Sequence, residues 1–402
     1  MNQQDLETRI RGAADQCVKC GLCLPHCPTY RLRQDEGESP RGRIALAQGL
    51  VDKQFPPSWR LDTHLSSCLE CRACEPVCPS LVAVGSLMDD TRALRRNASK
   101  FGRFWTAAWL DALSSGPGTR AAALVARVYA SSGLGRLMEW SGLLGSSRLA
   151  AYHRVALQLK KPARLAANGQ QTPLAGREIG LFVGCVARAA QPGALTAARD
   201  LLTRLGFHVG LPPTQGCCGA LHRHNGFPEP ADRLLAINAS AFADRPAVGV
   251  ASACVAELRT HPALAATQEV CRFLAALEWP GDITLRPLAK TVAVHEPCSH
   301  RNILRDAAAA YDLLGRIPEI SLMGLEDNPF CCGAAGSYLL QHPQTAWALA
   351  EPKLRQLRET GAEILVTTNT GCALHLAAGA REAGLRLEVL HPVELVLRQI
   401  ET

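Results

Sequence analysis

Residues 17–28 read CVKCGLCLPHCP and residues 68–79 read CLECRACEPVCP, two runs of the form C-x2-C-x2-C-x3-C-P. This is the ligand spacing of paired 4Fe-4S clusters. Three thiolates at two-residue intervals can curl around three irons of one cubane, while the fourth, displaced by a turn and a proline, reaches the other. The spacing therefore predicts one cluster on Cys17, Cys20, Cys23 and Cys78, and a second on Cys68, Cys71, Cys74 and Cys27. Gly21 suits a loop that bends tightly around sulfide, and Pro28 and Pro79 keep a helix from absorbing the fourth ligand. Zinc knuckles are the competing reading, but zinc takes four ligands from paired C-x2-C units and has no use for the x3-C-P ending. Arg41, Arg43 and Arg72 lie close in sequence to the ligands. Buried, such cations would raise a cluster's potential; solvated, they would do little.

A second set of cysteines repeats at long range. EIGLFVGC (178–185) and TVAVHEPC (291–298) are apolar runs ending in Cys, at an offset of 113. AARDLLTRLGF (197–207) is mirrored by AAYDLLGRIPE (309–319), GCCG (216–219) by FCCG (330–333), and VGVASAC (248–254) by LVTTNTGC (365–372). Each copy reads as strand, helix, Cys-Cys-Gly, helix, strand, and supplies four thiols: Cys185, Cys217, Cys218 and Cys254, then Cys298, Cys331, Cys332 and Cys372. Strand ends of parallel α/β units are where ligands gather, so these eight are candidate ligands of a third and a fourth centre. Buried cysteines acting as small hydrophobes would explain one such thiol, but not the same four placed twice. Of the 17 cysteines only Cys271 stands outside both sets.

The elements that must hold these residues follow from composition and punctuation. A chain of 402 residues, 47% hydrophobic and 20% charged, is a globular protein of two or more domains. Helix-forming RGRIALAQGLVDKQF, closed by Pro56-Pro57, separates the two short-range runs. The fold class expected is multidomain α+β: an α-helical two-cluster domain over 1–97, a helical linker over 98–175, and two duplicated α/β cysteine-rich domains over 176–288 and 289–402. In the linker Trp105, Trp109, Trp140, Arg120, Arg127 and Arg136 would suit a partner groove or a membrane surface, with interdomain packing the plainer expectation. No apolar run is long enough to span a bilayer and none resembles a secretion signal, so the expected location is the cytoplasm, with peripheral contact on the cytoplasmic face of the inner membrane left open. The +7 net charge is spread without like-charged blocks, which argues against a nucleic-acid partner.

The two short-range runs, the SPRGRI at 39–44 and the paired Cys-Cys-Gly copies resemble the iron-sulfur subunits of bacterial glycolate oxidases over nearly the whole chain. The same pairing is similar to subunits of lactate utilisation, anaerobic glycerol-3-phosphate dehydrogenase and heterodisulfide reductase. The resemblance implies an electron-transfer subunit that serves an FAD-binding 2-hydroxy-acid dehydrogenase subunit and passes electrons to quinone or another membrane acceptor. One feature departs from the heterodisulfide reductase pattern, which ends each copy in C-x2-C and so gives five thiolates to a noncubane cluster. Here Ala251 and Asn369 stand at the first of those positions. A four-thiolate cluster, a metal ion and a redox thiol pocket all stay open for the copies, with His222, His224, His295 and His375 as candidate replacement ligands.

No GxGxxG follows a strand and no P-loop is present, so neither FAD nor NAD is expected on this chain and no catalytic residue is assigned. The first reading is a relay that carries electrons away from a flavin. A second makes the Cys-Cys-Gly sites a catalyst that reduces a disulfide. A third, a zinc-held scaffold, requires the short-range runs to hold no iron.

Overall fold

The first fifteen residues place Leu6, Ile10 and Ala14 one turn apart, and they form the buried stripe of the helix Gln3–Asp15. In the computed structural model, which describes residues 2–97, 100–141, 145, 147–162, 165 and 177–401, this helix packs with Pro40–Val51, Trp59–Ser66 and Val84–Asn97 around Ile44, Ala47, Leu61, Leu87 and Met88. Ser39 caps the second of these by accepting from Gly42 N, with Pro40 at the first helical position. The cysteine runs are the irregular segments between these helices. Four further helices follow, Lys100–Ser114, Gly116–Ser131, Leu134–Trp140 and Arg148–Gln158. The boundary expected at 175–176 and the side chain of Arg136 lie outside the described residues.

The chain then builds the same sheet twice. The first has strands β1 (Glu178–Phe182), β2 (His208–Gly210), β3 (Ala247–Gly249) and β4 (Gln268–Glu269), in the order β2-β1-β3-β4. The second has β5 (Thr291–His295), β6 (Ser321–Gly324), β7 (Ile364–Thr367) and β8 (Glu388–Leu390), in the order β6-β5-β7-β8. Every pairing is parallel. The strand, helix, Cys-Cys-Gly, helix, strand unit is therefore incomplete: each copy carries an extra strand before Cys-Cys-Gly and another after the last helix. These are two to four residues long, too short for a periodic pattern to register. Apolar side chains of both copies, among them Leu181, Leu201, Val248, Val294, Leu313 and Val366, form one continuous core, so the copies are fused face to face.

The packing expected of the linker tryptophans holds for Trp109, which is half-buried and lines a cavity shared with both copies. Trp105 and Trp140 are 61% and 86% exposed. Arg120 and Arg127 face an open cleft of about 680 Å³ that they share with Lys161 and Arg188. Among the described residues no helix is long and apolar enough to cross a membrane.

Candidate functional site

Each short-range cysteine run is curled by two left-handed residues at matching positions. In the first these are Lys19 (φ 57°) and Gly21 (φ 87°); in the second they are Glu70 (φ 50°) and Arg72 (φ 53°). Glycine takes that conformation freely, whereas for a side-chain-bearing residue it costs about 1–2 kcal/mol. Lys19, Glu70 and Arg72 are thus held in it by the loop. Cys27 and Cys78, the last cysteines of the runs, close equivalent turns by donating from their backbone N–H to Leu24 O and Glu75 O.

Cys27 does not face the other cysteines of its own run. It lines a small cavity with Cys68, Cys71 and Cys74, closed by Pro28, Pro40 and Arg43. Burial, then the neighbouring thiols Cys298, Cys74 and Cys27, push the Cys71 thiol far up; burial, then Cys68 and Cys27, do the same to Cys74. Four converging sulfurs, Cys27 and Cys71 buried and Cys68 and Cys74 partly so, fit a cationic centre that takes them as thiolates. In the first run burial, with Cys17 and Cys20 as nearby charges, raises the Cys23 thiol, and Cys17 and Cys78 both pack against the helical core.

Arg43 is the buried cation anticipated near the ligands. It is 2% exposed and its Nη1 stands 3.8 Å from Cys27 Sγ. Its remaining donors go to Glu38 Oε2 (2.7 Å), Ser67 Oγ (2.8 Å), Thr29 Oγ1 (3.0 Å) and His64 O (2.9 Å). Arg41 and Arg72 are only partly buried, and Arg41 donates both to Glu36 and to Lys19 O of the first run. Glu38, fully buried as the counter-charge, gave no signal in the sequence because its partner Arg43 belongs to the following helix.

The long-range cysteines lie beyond the ends of the first three strands of each sheet, as expected of ligands in parallel α/β units. Cys185 follows β1, Cys217 and Cys218 follow β2, and Cys254 sits in the helix after β3; Cys298, Cys331, Cys332 and Cys372 are placed likewise after β5, β6 and β7. Sγ of Cys185 and Cys217 are 3.2 Å apart, and those of Cys298 and Cys331 are 3.8 Å apart. A cavity of about 640 Å³ is lined by cysteines of both copies together with Cys68, and by Trp109, Leu113 and Val155 of the middle helices. The two cysteine families therefore meet: Asn302 of the second copy donates to Cys71 O at 2.8 Å, and Arg92 donates both to Cys68 O at 2.6 Å and to His224 O at 2.9 Å.

Hydrogen bonds from its partners Cys185 and Cys218 hold the Cys217 thiol well below the usual thiol range, against the cost of burial. In the second copy the other member of the pair is depressed: Cys331 and then Cys372, with His295 further down the order, act on Cys332. Of the four candidate histidines His295 has its ligand nitrogen within 4.8 Å of two thiols, Cys332 and Cys372, while His222 lies near Cys217. His222 pairs with Asp111, His224 with Glu70 and Asp89, and His375 Nε2 with Ala346 O. Asn369 and Ala251 sit at helix N-caps, Asn369 accepting from Gly371 N. Cys271 stands with Glu269 and His391 in the seam between the copies.

Residues that brace the sites escaped the sequence reading. Gln215 accepts from Val183 N and donates to Leu181 O, and Asn328 repeats this on Glu296 N and Val294 O. An amide side chain in a loop is too common for its type alone to mark it.

Residues 13–82 match a family model described as a 4Fe-4S dicluster domain, and residues 179–259 and 292–377 each match one described as a cysteine-rich domain. The chain is 29% identical to a protein named probable glycolate oxidase iron-sulfur subunit from Bacillus subtilis (strain 168), across 98% of this chain and 96% of that one. It is also 29% identical to the glycolate oxidase iron-sulfur subunit of Escherichia coli (strain K12), across 96% and 94%. Lactate utilization protein A of Shouchella clausii (strain KSM-K16) is 26% identical across 54% of this chain and 98% of its own length.

Proposed function

We propose that this homologue of the glycolate oxidase iron-sulfur subunits is the electron-transfer subunit of a 2-hydroxy-acid oxidase, taking electrons from an FAD-binding partner and delivering them towards the membrane quinone pool. Cys17, Cys20, Cys23 and Cys78 would hold one 4Fe-4S cluster and Cys68, Cys71, Cys74 and Cys27 the other. When bound, such a cluster accepts and releases electrons singly, the exchange that a two-electron flavin needs on its way to a one-electron carrier. The observation that carries the reading is the contiguity of the cysteines, from the Cys27, Cys68, Cys71 and Cys74 cavity directly into the one shared by both copies.

The chain's own residues set the conditions for this. Arg43 places a buried positive charge beside Cys27, which favours the reduced, more negative state of whatever Cys27 ligates. Arg92 ties the second run to the first copy through backbone carbonyls, fixing the spacing between the two cysteine families. Trp109, Leu113 and Val155 give the shared cavity an apolar wall.

That cavity is also large enough to admit a small disulfide, which keeps the catalytic reading alive. The test is an anaerobic one. The full chain alone, given glycolate or lactate, should stay oxidised; adding the flavoprotein partner should let the hydroxy acid reduce its clusters, seen by EPR. Cys27→Ser should alter the same EPR signal as Cys71→Ser, and Cys78→Ser the same signal as Cys20→Ser. Oxidation of a hydroxy acid by this chain alone overturns the proposal, and disulfide reduction by the dithionite-reduced chain transfers it to the catalytic reading.

A further inference from the structure

The two cysteine-rich copies differ at the last residue of their first strand. Phe182 ends β1, and at the same place His295 ends β5. Phe182 packs against Phe242, ring centroids 6.3 Å apart, in an apolar cluster with Cys185, Cys217 and Cys218. His295 is buried at the thiols instead: its ligand nitrogen, Cys332 Sγ and Cys372 Sγ all lie within 4.8 Å of one another.

Burying an imidazole against thiols has a cost unless each ring nitrogen has a partner. His295 Nδ1 stands 2.9 Å from Thr367 Oγ1, at the end of the neighbouring strand β7. That leaves Nε2 for the thiols. A ring whose one nitrogen is tied to an oxygen and whose other faces a cysteine cluster is the arrangement by which proteins orient a metal-binding histidine. The need for an added donor is visible in the same copy, because Asn369 stands where a further cysteine would complete the C-x2-C pair, and its side chain is used for the cap to Gly371 N and for a bond to Ser299 Oγ.

We propose that His295 is a metal ligand, and that the second copy holds its centre through this imidazole with the thiolates of Cys332, Cys372, Cys298 and Cys331. At the equivalent strand end the first copy has Phe182, which offers no donor. Thr367 is the positioning residue, holding the ring so that Nε2 points at the sulfurs. A neutral imidazole in place of an anionic thiolate leaves the centre one negative charge poorer, which raises its potential. The duplicated copies thereby hold unlike sites. This rests on the reading that the cysteine-rich copies bind metal, and the test separates the two.

The experiment uses the full chain, purified anaerobically with and without 15N-labelled histidine. Metal and sulfide analysis first establishes whether metal is bound beyond two cubanes. If that metal is paramagnetic iron, pulsed EPR should show a directly coordinated imidazole nitrogen, shifted by the label; if it is zinc, zinc K-edge X-ray absorption should show an imidazole shell among sulfurs. His295→Cys should remove the nitrogen signal while retaining the metal and, for iron, lower the midpoint potential. Thr367→Val should keep the nitrogen but change its coupling or shell distance. His153→Gln, which alters a histidine bonded to Tyr129 and Glu139 in the middle helices, should leave the signal unchanged. Additional metal with no nitrogen coupling or imidazole shell overturns the assignment of His295 and leaves the metal reading standing. Absence of any metal beyond two cubanes overturns both. A signal that survives His295→Cys overturns the assignment of His295 alone.

Discussion

The two cysteine-rich copies share a backbone path and differ in what braces it. In both, a side-chain amide pins the end of the first strand, through Gln215 in one and Asn328 in the other. In both, the glycine after the cysteine pair is left-handed, Gly219 at φ 95° and Gly333 at φ 91°. The long helix that follows then reaches back to the Cys-Cys-Gly loop with different chemistry. From Pro228–Ala241 comes Asn238, which accepts from Gly216 N at 3.0 Å and donates to Cys217 O at 2.8 Å. From Pro343–Thr360 comes Lys353, whose Nζ donates to Asp327 O (2.7 Å), Asp327 Oδ2 (2.9 Å) and Phe330 O (3.0 Å). A duplicated fold thus keeps its geometry under stronger constraint than its electrostatics. The second copy has a buried cation and an imidazole where the first has an amide and a phenyl ring, which is room for the two sites to diverge.

The comparison breaks most readily at the buried cation. Lys353 is fully buried, so Lys353→Met removes three charge-assisted donor contacts at once and leaves the Asp327 carboxylate with Arg31 as its remaining cation, a loss of about 3 kcal/mol. Asn238→Leu removes neutral hydrogen bonds, a loss of about 1–3 kcal/mol. Anaerobic thermal melts of the two variants should therefore show the larger drop in Tm for Lys353→Met. Equal drops would mean that the charge in the second copy adds nothing to the brace.

The glycines give the next largest difference. Alanine at either position carries the left-handed penalty of about 1–2 kcal/mol. At Gly219 the new Cβ would lie 3.0 Å from Ala231 O, but at Gly333 it would lie 2.5 Å from Ala346 O, a contact that only a backbone shift relieves. Gly333→Ala should accordingly be the more destabilising in the same melts. The opposite order would show the second loop to be the softer of the two.

What could be recognised beforehand divides along the same line. Cysteine ligands were legible because cluster geometry imposes short fixed spacings, and β1, β5 and β7 because buried parallel strands are continuous apolar runs. The bracing groups were not, because Asn238 and Lys353 are single polar residues in otherwise ordinary helices, and nothing local says which way they point. His295 could be nominated with His222, His224 and His375 but not separated from them, since the distinction depends on strand β7 supplying Thr367 across the sheet. Arg72 carries a side chain at the place where Gly21 suggested a glycine, and its conformation is imposed by the loop. Trp105 and Trp140 gave a packing signal by type alone, and tertiary structure leaves both at the surface.

The smallest expected effect concerns how each copy is attached to the N-terminal helical domain. The second copy uses arginines, Arg33 to Thr345 Oγ1 and Arg31 to Asp327, both at 2.8 Å, and arginines do not titrate near neutrality. The first uses His224, which pairs with Glu70 and Asp89 beside Arg92. Burial opposes the charged form of His224, but the Glu70 and Asp89 carboxylates outweigh it and hold its pKa well above 6.5. For Glu70 the cost of burial is overcome by Arg92 and then His224, which hold its carboxyl at about 2. A raised histidine contributes stability that is complete below its unfolded pKa of roughly 6.5 and is lost as pH rises through the folded value. The lowered Glu70 contributes above roughly 4.3 and loses that contribution only as pH falls towards its folded value. Between pH 6 and 9, then, the pair should weaken from the histidine side alone. Because His224 is partly exposed, solvent screening keeps the effect below about 1 kcal/mol. Hydrogen exchange of residues 220–226 should accelerate over this range beyond the intrinsic pH trend, while residues 338–346 follow that trend. In His224→Gln the extra acceleration should vanish, and if it persists the pH-sensitive contact lies elsewhere and the two attachments are alike.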